Sequence, residues 1–223
     1  MGPVRRASST LKFHVNGHTV GNPSAELTKK AMAEILRAVS ANIERIEPEQ
    51  VEKLIKILVD VKRRGKKILV IGAGRSGLVG RAFAMRLMHL NFNVHVVGET
   101  ITPAVERGDV LFAISGSGTT TLVVTAAKIA KRVGAKVIAV TSHPKSPLGK
   151  CADHIVVIYG RTKLAKKRDY FSRQILGVHE PLAPLGTIFE MATAIFLDAL
   201  IVDLMHELGL TEQDMRRRHA TIE

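Results

Sequence analysis

Two short glycine-rich segments contain the side chains best suited to bind a phosphate group. The first, Gly72–Gly77, includes an arginine and a serine, and the second, Ser115–Thr121, includes five hydroxyl side chains. Glycines let a ligand approach the backbone, and a helix N-terminus supplies unpaired N–H donors and the positive end of the helix dipole. We therefore predict a phosphate cradle at Ser115–Thr120, flanked by the first segment. The predicted substrate-binding residues are Gly74, Arg75, Ser76, Ser115, Gly116, Ser117, Gly118, Thr119 and Thr120.

Other interpretations of these two segments remain open. Gly72–Gly77 matches the G-x-G-x-x-G pattern of dinucleotide-binding turns, and Glu99 lies near the position of a ribose-binding acid. The charge of Arg75 and the hydroxyl of Ser76 favour a phosphate or a sugar instead. A Walker-type loop is excluded because neither segment contains Gly-Lys-Ser/Thr. The alternative roles are helix capping for the hydroxyls, which needs only one of them, and a structural salt bridge for Arg75.

Buried strands alternate with helices from Lys67 onward. Short β-branched runs between helical stretches are typical of parallel strands that are covered on both faces. The predicted strands are Lys67–Ile71, Asn93–Val97, Val110–Ile114, Lys136–Val140 and His154–Ile158. Ligands of such sheets bind outside the carboxyl ends of the strands, where both glycine-rich segments fall. The sequence predicts an α/β fold with a doubly wound, flavodoxin-like, five-stranded parallel sheet.

Helices precede, link and follow these strands. Apolar residues at helical spacing predict two leading helices, one from Ser24 to Glu47 and one from Val51 to Gly65. The other predicted helices are Ser76–Leu90, Thr119–Val133, a long closing helix Leu185–Leu208 and a short capped helix Thr211–Arg218, with an irregular crossover at Ser142–Lys150. The leading and closing helices offer more apolar surface than one sheet covers, which predicts a homo-oligomer.

The two glycine-rich segments resemble those of the sugar isomerase (SIS) domain, and further motifs are similar to the 6-phospho-3-hexuloisomerase family within that superfamily. The motifs that carry the resemblance are Gly72–Gly77 with Ala82–Leu90, Gly98–Pro103, Ile114–Gly118, His179–Glu190 and Arg218–Glu223. The likeness covers residues 25–223, which are expected to form one SIS domain. Residues 1–24 lie outside it.

The resemblance implies an isomerase that interconverts 3-hexulose 6-phosphate and fructose 6-phosphate in ribulose monophosphate and formaldehyde metabolism, paired with a hexulose-phosphate synthase. It also implies a homotetramer and Glu190 as the catalytic base. The implied phosphate-binding residues are Ser76, Ser115, Ser117 and Thr120. No cofactor and no metal are expected, because one base can move a proton between adjacent carbons through an enediol. The alternatives are a non-catalytic SIS-domain sugar-phosphate sensor and another aldose-ketose sugar-phosphate isomerase.

The surroundings of Glu190 suit a base. Glu190 is the only charged residue between Pro181 and Asp198, within an otherwise apolar segment. Burial raises the pKa of a carboxylate toward neutrality, where a general base is most effective. The alternative is an exposed glutamate in a first helical turn, where the helix dipole favours it.

A second group is expected to move protons between the two sugar oxygens, and histidine suits this role. His219 is predicted as the second catalytic residue, and His179 is the other candidate. His219 reaches a site only if the C-terminal segment folds over that site or over a neighbouring subunit. The basic stretch Arg161–Arg173 is either a lid over an anionic substrate or a solvated run of charge.

The net charge and the hydropathy of the chain limit the classes of partner that it is expected to bind. The chain has 33 Lys and Arg against 20 Asp and Glu, and this net charge of +13 favours anionic partners. A sugar phosphate satisfies that preference, and no helix-turn-helix pair precedes the first strand, so no specific nucleic-acid partner is expected. No apolar run reaches the roughly 18 residues of a membrane span, so no membrane partner is expected.

The single cysteine and the N-terminal segment are the two features that indicate the cellular location of the protein. Cys151 permits no intrachain disulfide, which fits a cytoplasmic protein. Residues 1–24 contain three Lys and Arg side chains and no acid. They are expected to form a basic, disordered tail rather than a targeting peptide.

Overall fold

The structure is a computed structural model that describes residues 13–15, 18–20, 25–160, 182–184 and 186–221. Along the chain its strands and helices are β1 (Phe13–Val15), β2 (His18–Val20), α1 (Ala25–Ile43), α2 (Pro48–Arg63), β3 (Ile68–Gly72), α3 (Arg75–His89), β4 (Val94–Val96), β5 (Val110–Ile114), α4 (Thr121–Val133), β6 (Lys136–Thr141), α5 (Pro147–Cys151), β7 (His154–Val157), α6 (Thr187–Leu208) and α7 (Glu212–Arg216).

Five of these strands form one parallel sheet in the order β4-β3-β5-β6-β7. The predicted doubly wound, flavodoxin-like sheet is therefore confirmed. The chain winds outward in one direction from β3 and in the other from β5, so the switch point of the topology lies between these two strands. At this point Gly72 pairs in register with Ile114. The two glycine-rich segments consequently leave the sheet side by side at its carboxyl edge.

Helices cover both faces of the sheet. Successive side chains of a strand point to opposite faces and therefore enter different cores. Ile68 and Val70 of β3 pack in a core with α2, α3 and α6, whereas Leu69 and Ile71 pack in a second core with α4 and α5. This two-sided burial explains the continuous apolar runs of the strands. Helix α1 packs on α6 and thereby extends the first layer.

The two leading helices are fastened to the edge strand by hydrogen bonds. The Gln50 carbonyl of α2 accepts a bond from His154 Nε2 at 2.8 Å, and Gln50 Oε1 accepts one from the Val157 N–H at 2.9 Å. Asn42 of α1 accepts a bond from the Tyr159 N–H at 2.7 Å. These bonds hold α1 and α2 beside the last strand of the sheet.

Several boundaries differ from the sequence predictions. Helix α2 begins at Pro48 rather than Val51, because proline is well tolerated in a first helical turn. The crossover predicted as irregular contains the short helix α5, capped by Ser146. Within the predicted N-terminal tail, β1 and β2 pair antiparallel. None of the helices in the described ranges combines the length and apolar character that a bilayer crossing requires.

Candidate active site

The first glycine-rich turn passes from β3 to α3 too tightly for side chains at two of its glycines. A Cβ atom on Gly72 would stand 2.8 Å from the Gly77 nitrogen, and one on Gly77 would stand 2.9 Å from the Gly72 carbonyl oxygen. Gly74 is the N-cap of α3. This compact turn places Arg75 and Ser76 in the first turn of α3, at the carboxyl edge of the sheet.

The hydroxyl groups of the predicted phosphate cradle bond to one another rather than cap α4. Ser115 Oγ lies 3.1 Å from Thr120 Oγ1 and accepts a bond from the Gly118 N–H at 3.2 Å. Ser117 Oγ accepts bonds from the N–H and the hydroxyl of Thr119, at 3.3 and 3.0 Å. Thr120 is the N-cap of α4, yet its side chain makes no capping bond. An anion at this helix start would therefore meet uncapped N–H donors.

A third segment, Thr141 to His143, for which the sequence predicted no role, forms hydrogen bonds with the backbone of the cradle. The Gly116 carbonyl accepts bonds from the Ser142 N–H and from His143 Nδ1, both at 3.1 Å, and from the Thr141 hydroxyl at 3.3 Å. Thr141 ends β6, the neighbour of β5 in the parallel sheet, and Ser142 and His143 follow it. That adjacency is the signal that could have identified the loop, since the carboxyl ends of neighbouring parallel strands meet at one edge.

Phe189 fixes the start of α6 against the cradle. A Cβ on Gly116 would lie 2.9 Å from the Phe189 ring, and a Cβ on Gly160 would lie 2.6 Å from the Phe189 backbone. Both glycines therefore leave the space that Phe189 needs. Glu190 follows directly, and its side chain is only 13% exposed, as its apolar neighbours predict.

Arg75 and Glu190 connect the two helices that begin at this edge. Arg75 Nε donates a hydrogen bond to Glu190 Oε2, which joins the first turn of α3 to the first turn of α6. The structure thus brings Glu190 and both glycine-rich segments together at one edge of the sheet. A largely buried carboxylate near N–H and hydroxyl donors can move a proton on a ligand whose anionic end is held by those donors.

His219 lies elsewhere in the protomer. Its ring stacks on His89 with the ring centroids 5.3 Å apart. His89 ends α3, a helix of 15 residues, and at 1.5 Å per residue this end lies about 22 Å from the end that carries Arg75. Burial, and to a smaller extent the electrostatic interactions with His219 and Arg86, lower the pKa of His89. One protomer therefore does not place His219 beside Glu190.

The remaining sequence candidates have other surroundings. Glu99 pairs with Arg81 at 2.8 Å, beside a cleft of about 240 Å³ that Gly72, Gly74 and Gly77 help to line. His179 and Arg161–Arg173 lie outside the described residues. Among the residues that are described, no three His, Cys, Asp or Glu side chains group as metal ligands would.

Comparisons with known proteins agree with this architecture. Residues 63–163 match the SIS domain family model. The chain is 38% identical to the 3-hexulose-6-phosphate isomerase of Bacillus subtilis over 88% of this chain and 99% of that protein. It is 40% identical to the 3-hexulose-6-phosphate isomerase of Mycobacterium gastri over 80% of this chain and 83% of that protein.

A solved crystal structure also matches the fold of this chain. The crystal structure of a Methanococcus jannaschii protein, for which a molecular function of 3-hexulose-6-phosphate isomerase is inferred, matches with a TM-score of 0.67 and 33% sequence identity. The match covers 89% of this chain and 99% of that one.

Proposed function

Because the chain belongs to the family of SIS-domain proteins that contains the 3-hexulose-6-phosphate isomerases, we propose that it interconverts 3-hexulose 6-phosphate and fructose 6-phosphate. The observation that carries this proposal is the position of Glu190, a largely buried carboxylate at the edge of the sheet that also carries the phosphate cradle. The two curated isomerases named above match 88% and 80% of this chain, which supports the proposal.

The reaction moves the ketone between carbons 2 and 3 of the sugar. Starting from fructose 6-phosphate, the Glu190 carboxylate takes the proton from carbon 3, and the C–H electron pair forms the double bond of a 2,3-enediol while oxygen 2 gains a proton from His219. Oxygen 3 then gives its proton to the same histidine, the ketone forms at carbon 3, and Glu190 returns the proton to carbon 2. Nothing is oxidised or reduced overall, and the proposed reaction uses no cofactor.

The cradle holds the phosphate in this proposal. Ser76, Ser115, Ser117 and Thr120 supply hydroxyl donors, and the start of α4 adds backbone N–H groups and the positive end of its dipole. Gly74, Gly116, Gly118 and Thr119 complete the backbone around the anion. Arg75 adds a guanidinium, which pairs well with phosphate oxygens.

A neighbouring subunit supplies His219 in this proposal. Apolar side chains are exposed along three helices: Leu27, Met32, Leu36 and Ile43 of α1, Leu78, Met85 and Met88 of α3, and Met191, Ile195 and Val202 of α6. Patches of this kind mark surfaces that bind other proteins. We propose that copies of the chain cover them in a homotetramer, whose contacts bring the histidine of one subunit to the glutamate of another.

A coupled assay tests the function. We propose a cytoplasmic enzyme that works with a hexulose-phosphate synthase of the ribulose monophosphate pathway. Incubation with fructose 6-phosphate and that synthase is expected to yield ribulose 5-phosphate and formaldehyde. Omission of the chain gives the background, and the absence of both products with an active synthase would contradict the proposal in favour of a sugar-phosphate sensor.

A further inference from the structure

The ion pair between Arg75 and Glu190 occupies one of the two carboxylate oxygens of the proposed base. Both oxygens lie beside Gly186, where a Cβ atom would stand 3.0 Å from Oε1 and 3.5 Å from Oε2. Oε2 accepts the hydrogen bond from Arg75 Nε. The guanidinium occupies the side of the carboxylate from which it donates, so a substrate carbon that approaches from that side reaches the oxygen only after the guanidinium moves aside. The pair therefore restrains the base.

The two partners differ in their freedom to move. The Glu190 side chain is 13% exposed, whereas the Arg75 side chain is 58% exposed. Glu190 is also fixed through Phe189, which fills the space beside Gly116. Arg75, at the start of α3, can leave the pair with little loss of packing.

A phosphate in the cradle offers Arg75 a stronger partner. The cradle follows β5 and Arg75 follows β3, and these adjacent strands pair up to Gly72 and Ile114, so their loops begin about 5 Å apart. A phosphate dianion carries more charge than a carboxylate and accepts two parallel bonds from a guanidinium. Binding of the phosphate thus competes directly with Glu190 for Arg75.

We infer that Arg75 changes partner when substrate binds, leaving Glu190 for the phosphate, so that the base is released only in a site that holds a phosphate group. This inference rests on the proposed function and goes beyond it by assigning substrate selection to one side chain. Binding energy from the phosphate, which is remote from the reacting carbons, is thereby used to activate the base. Sugars without phosphate leave the base restrained.

The test supplies the carbonyl part and the anionic part of the substrate as two separate molecules. Erythrulose is a four-carbon ketose that has a carbonyl and an adjacent CH–OH group but no phosphate, and it is too short to close a furanose ring. Phosphite supplies the anion separately. In D2O, the protein is expected to exchange the carbon 3 proton of erythrulose slowly, and phosphite is expected to accelerate that exchange by about 5- to 150-fold, the usual range for coupling between two ligands.

Two variants separate partner exchange from a static salt bridge. With Arg75→Gln, exchange without phosphite is expected to exceed that of the unchanged protein, because Glu190 has lost its partner, and phosphite is expected to have no effect. Arg81→Gln is the matched control, because Arg81 lies on the same helix, is also 58% exposed and pairs with Glu99. It should keep the acceleration. A static pair would instead make Arg75→Gln lower both rates equally and keep the acceleration, which would overturn the inference.

Turnover of fructose 6-phosphate by the same samples distinguishes the two proposals. Turnover of the intact substrate without any acceleration by phosphite would overturn the role of Arg75 and leave the isomerase function in place. Absence of both the turnover and the acceleration by phosphite would contradict the isomerase function and, with it, this inference. The phosphite experiment on the unchanged protein depends on no variant, so the folding of Arg75→Gln does not decide the outcome.

Discussion

Ser117 shows how a single hydroxyl can be prepared for an anion. Its oxygen accepts two hydrogen bonds, from the N–H and the hydroxyl of Thr119. A serine hydroxyl has two lone pairs and one hydrogen, so these two bonds use its acceptor capacity. The hydrogen remains, and it suits a phosphate oxygen.

Replacement of this hydroxyl is expected to weaken substrate binding. Ser117→Ala removes one charge-assisted hydrogen bond, worth about 1.5–3 kcal/mol, and should therefore raise KM for fructose 6-phosphate by about 10- to 150-fold with a much smaller change in kcat. Ser142→Ala is the matched control, because that hydroxyl donates to the Ile158 carbonyl at 2.7 Å. Steady-state kinetics measure both variants, and an unchanged KM for Ser117→Ala would remove Ser117 from the site.

At the scale of elements, the approach of α5 to the cradle depends on Gly118. Its φ is 62°, in the left-handed region, and a Cβ atom would lie 1.9 Å from Ser146 Oγ, the side chain that caps α5. The Gly118 carbonyl also accepts a bond from the Leu148 N–H at 3.0 Å. The glycine thus lets the cradle and α5 pack in direct contact.

Gly118 and Gly209 have the same φ, so alanine substitutions at the two positions distinguish the cost of left-handed backbone from the cost of steric overlap. Gly209, which ends α6, also has a φ of 62°, but nothing lies within 4 Å of its Cβ position. Gly209→Ala is expected to lower the free energy of unfolding by about 1–2 kcal/mol, the cost of left-handed backbone. Gly118→Ala adds overpacking and should cost about 1–3 kcal/mol more. Denaturant unfolding measures both, and equal losses would show that Ser146 moves aside freely.

Much of the element order could be predicted from the sequence, because continuous apolar runs and glycine-rich turns are local signals. The edge of the candidate site followed from the rule for parallel sheets, and Glu190 stood out as the only charged residue between Pro181 and Asp198. The loop that follows β6 and contains His143 could not be predicted, since its contact with the Gly116 carbonyl depends on β6 lying next to β5. The position of His219 against His89 also depends on tertiary packing that no local pattern encodes.

At the scale of the whole molecule, the proposed homotetramer accounts for both the exposed apolar faces and the distant His219. Helices α1, α3 and α6 all expose large apolar side chains. In the proposed tetramer, the contacts that cover these faces also complete the site. The site would then belong to a pair of subunits rather than to one chain.

Mixed oligomers test this shared site. Glu190→Gln and His219→Gln homo-oligomers are each expected to be nearly inactive. When equal amounts of the two variants co-assemble at random, about one site in four receives an intact glutamate from one chain and an intact histidine from another, so about a quarter of the activity should return. The coupled synthase assay measures the recovery. If verified hybrids stay as inactive as their parents, His219 does not act across a subunit boundary.

The central claim, that Glu190 moves the proton between the two carbons, is tested most directly by solvent exchange. With fructose 6-phosphate in D2O, NMR should show deuterium entering carbon 3 in the presence of the unchanged protein. Glu190→Gln keeps the shape of the side chain but cannot take the proton, so exchange should fall by at least about 10²- to 10⁴-fold while calorimetry still shows fructose 6-phosphate binding. Exchange near the unchanged rate in the glutamine variant, with binding retained, would contradict the account.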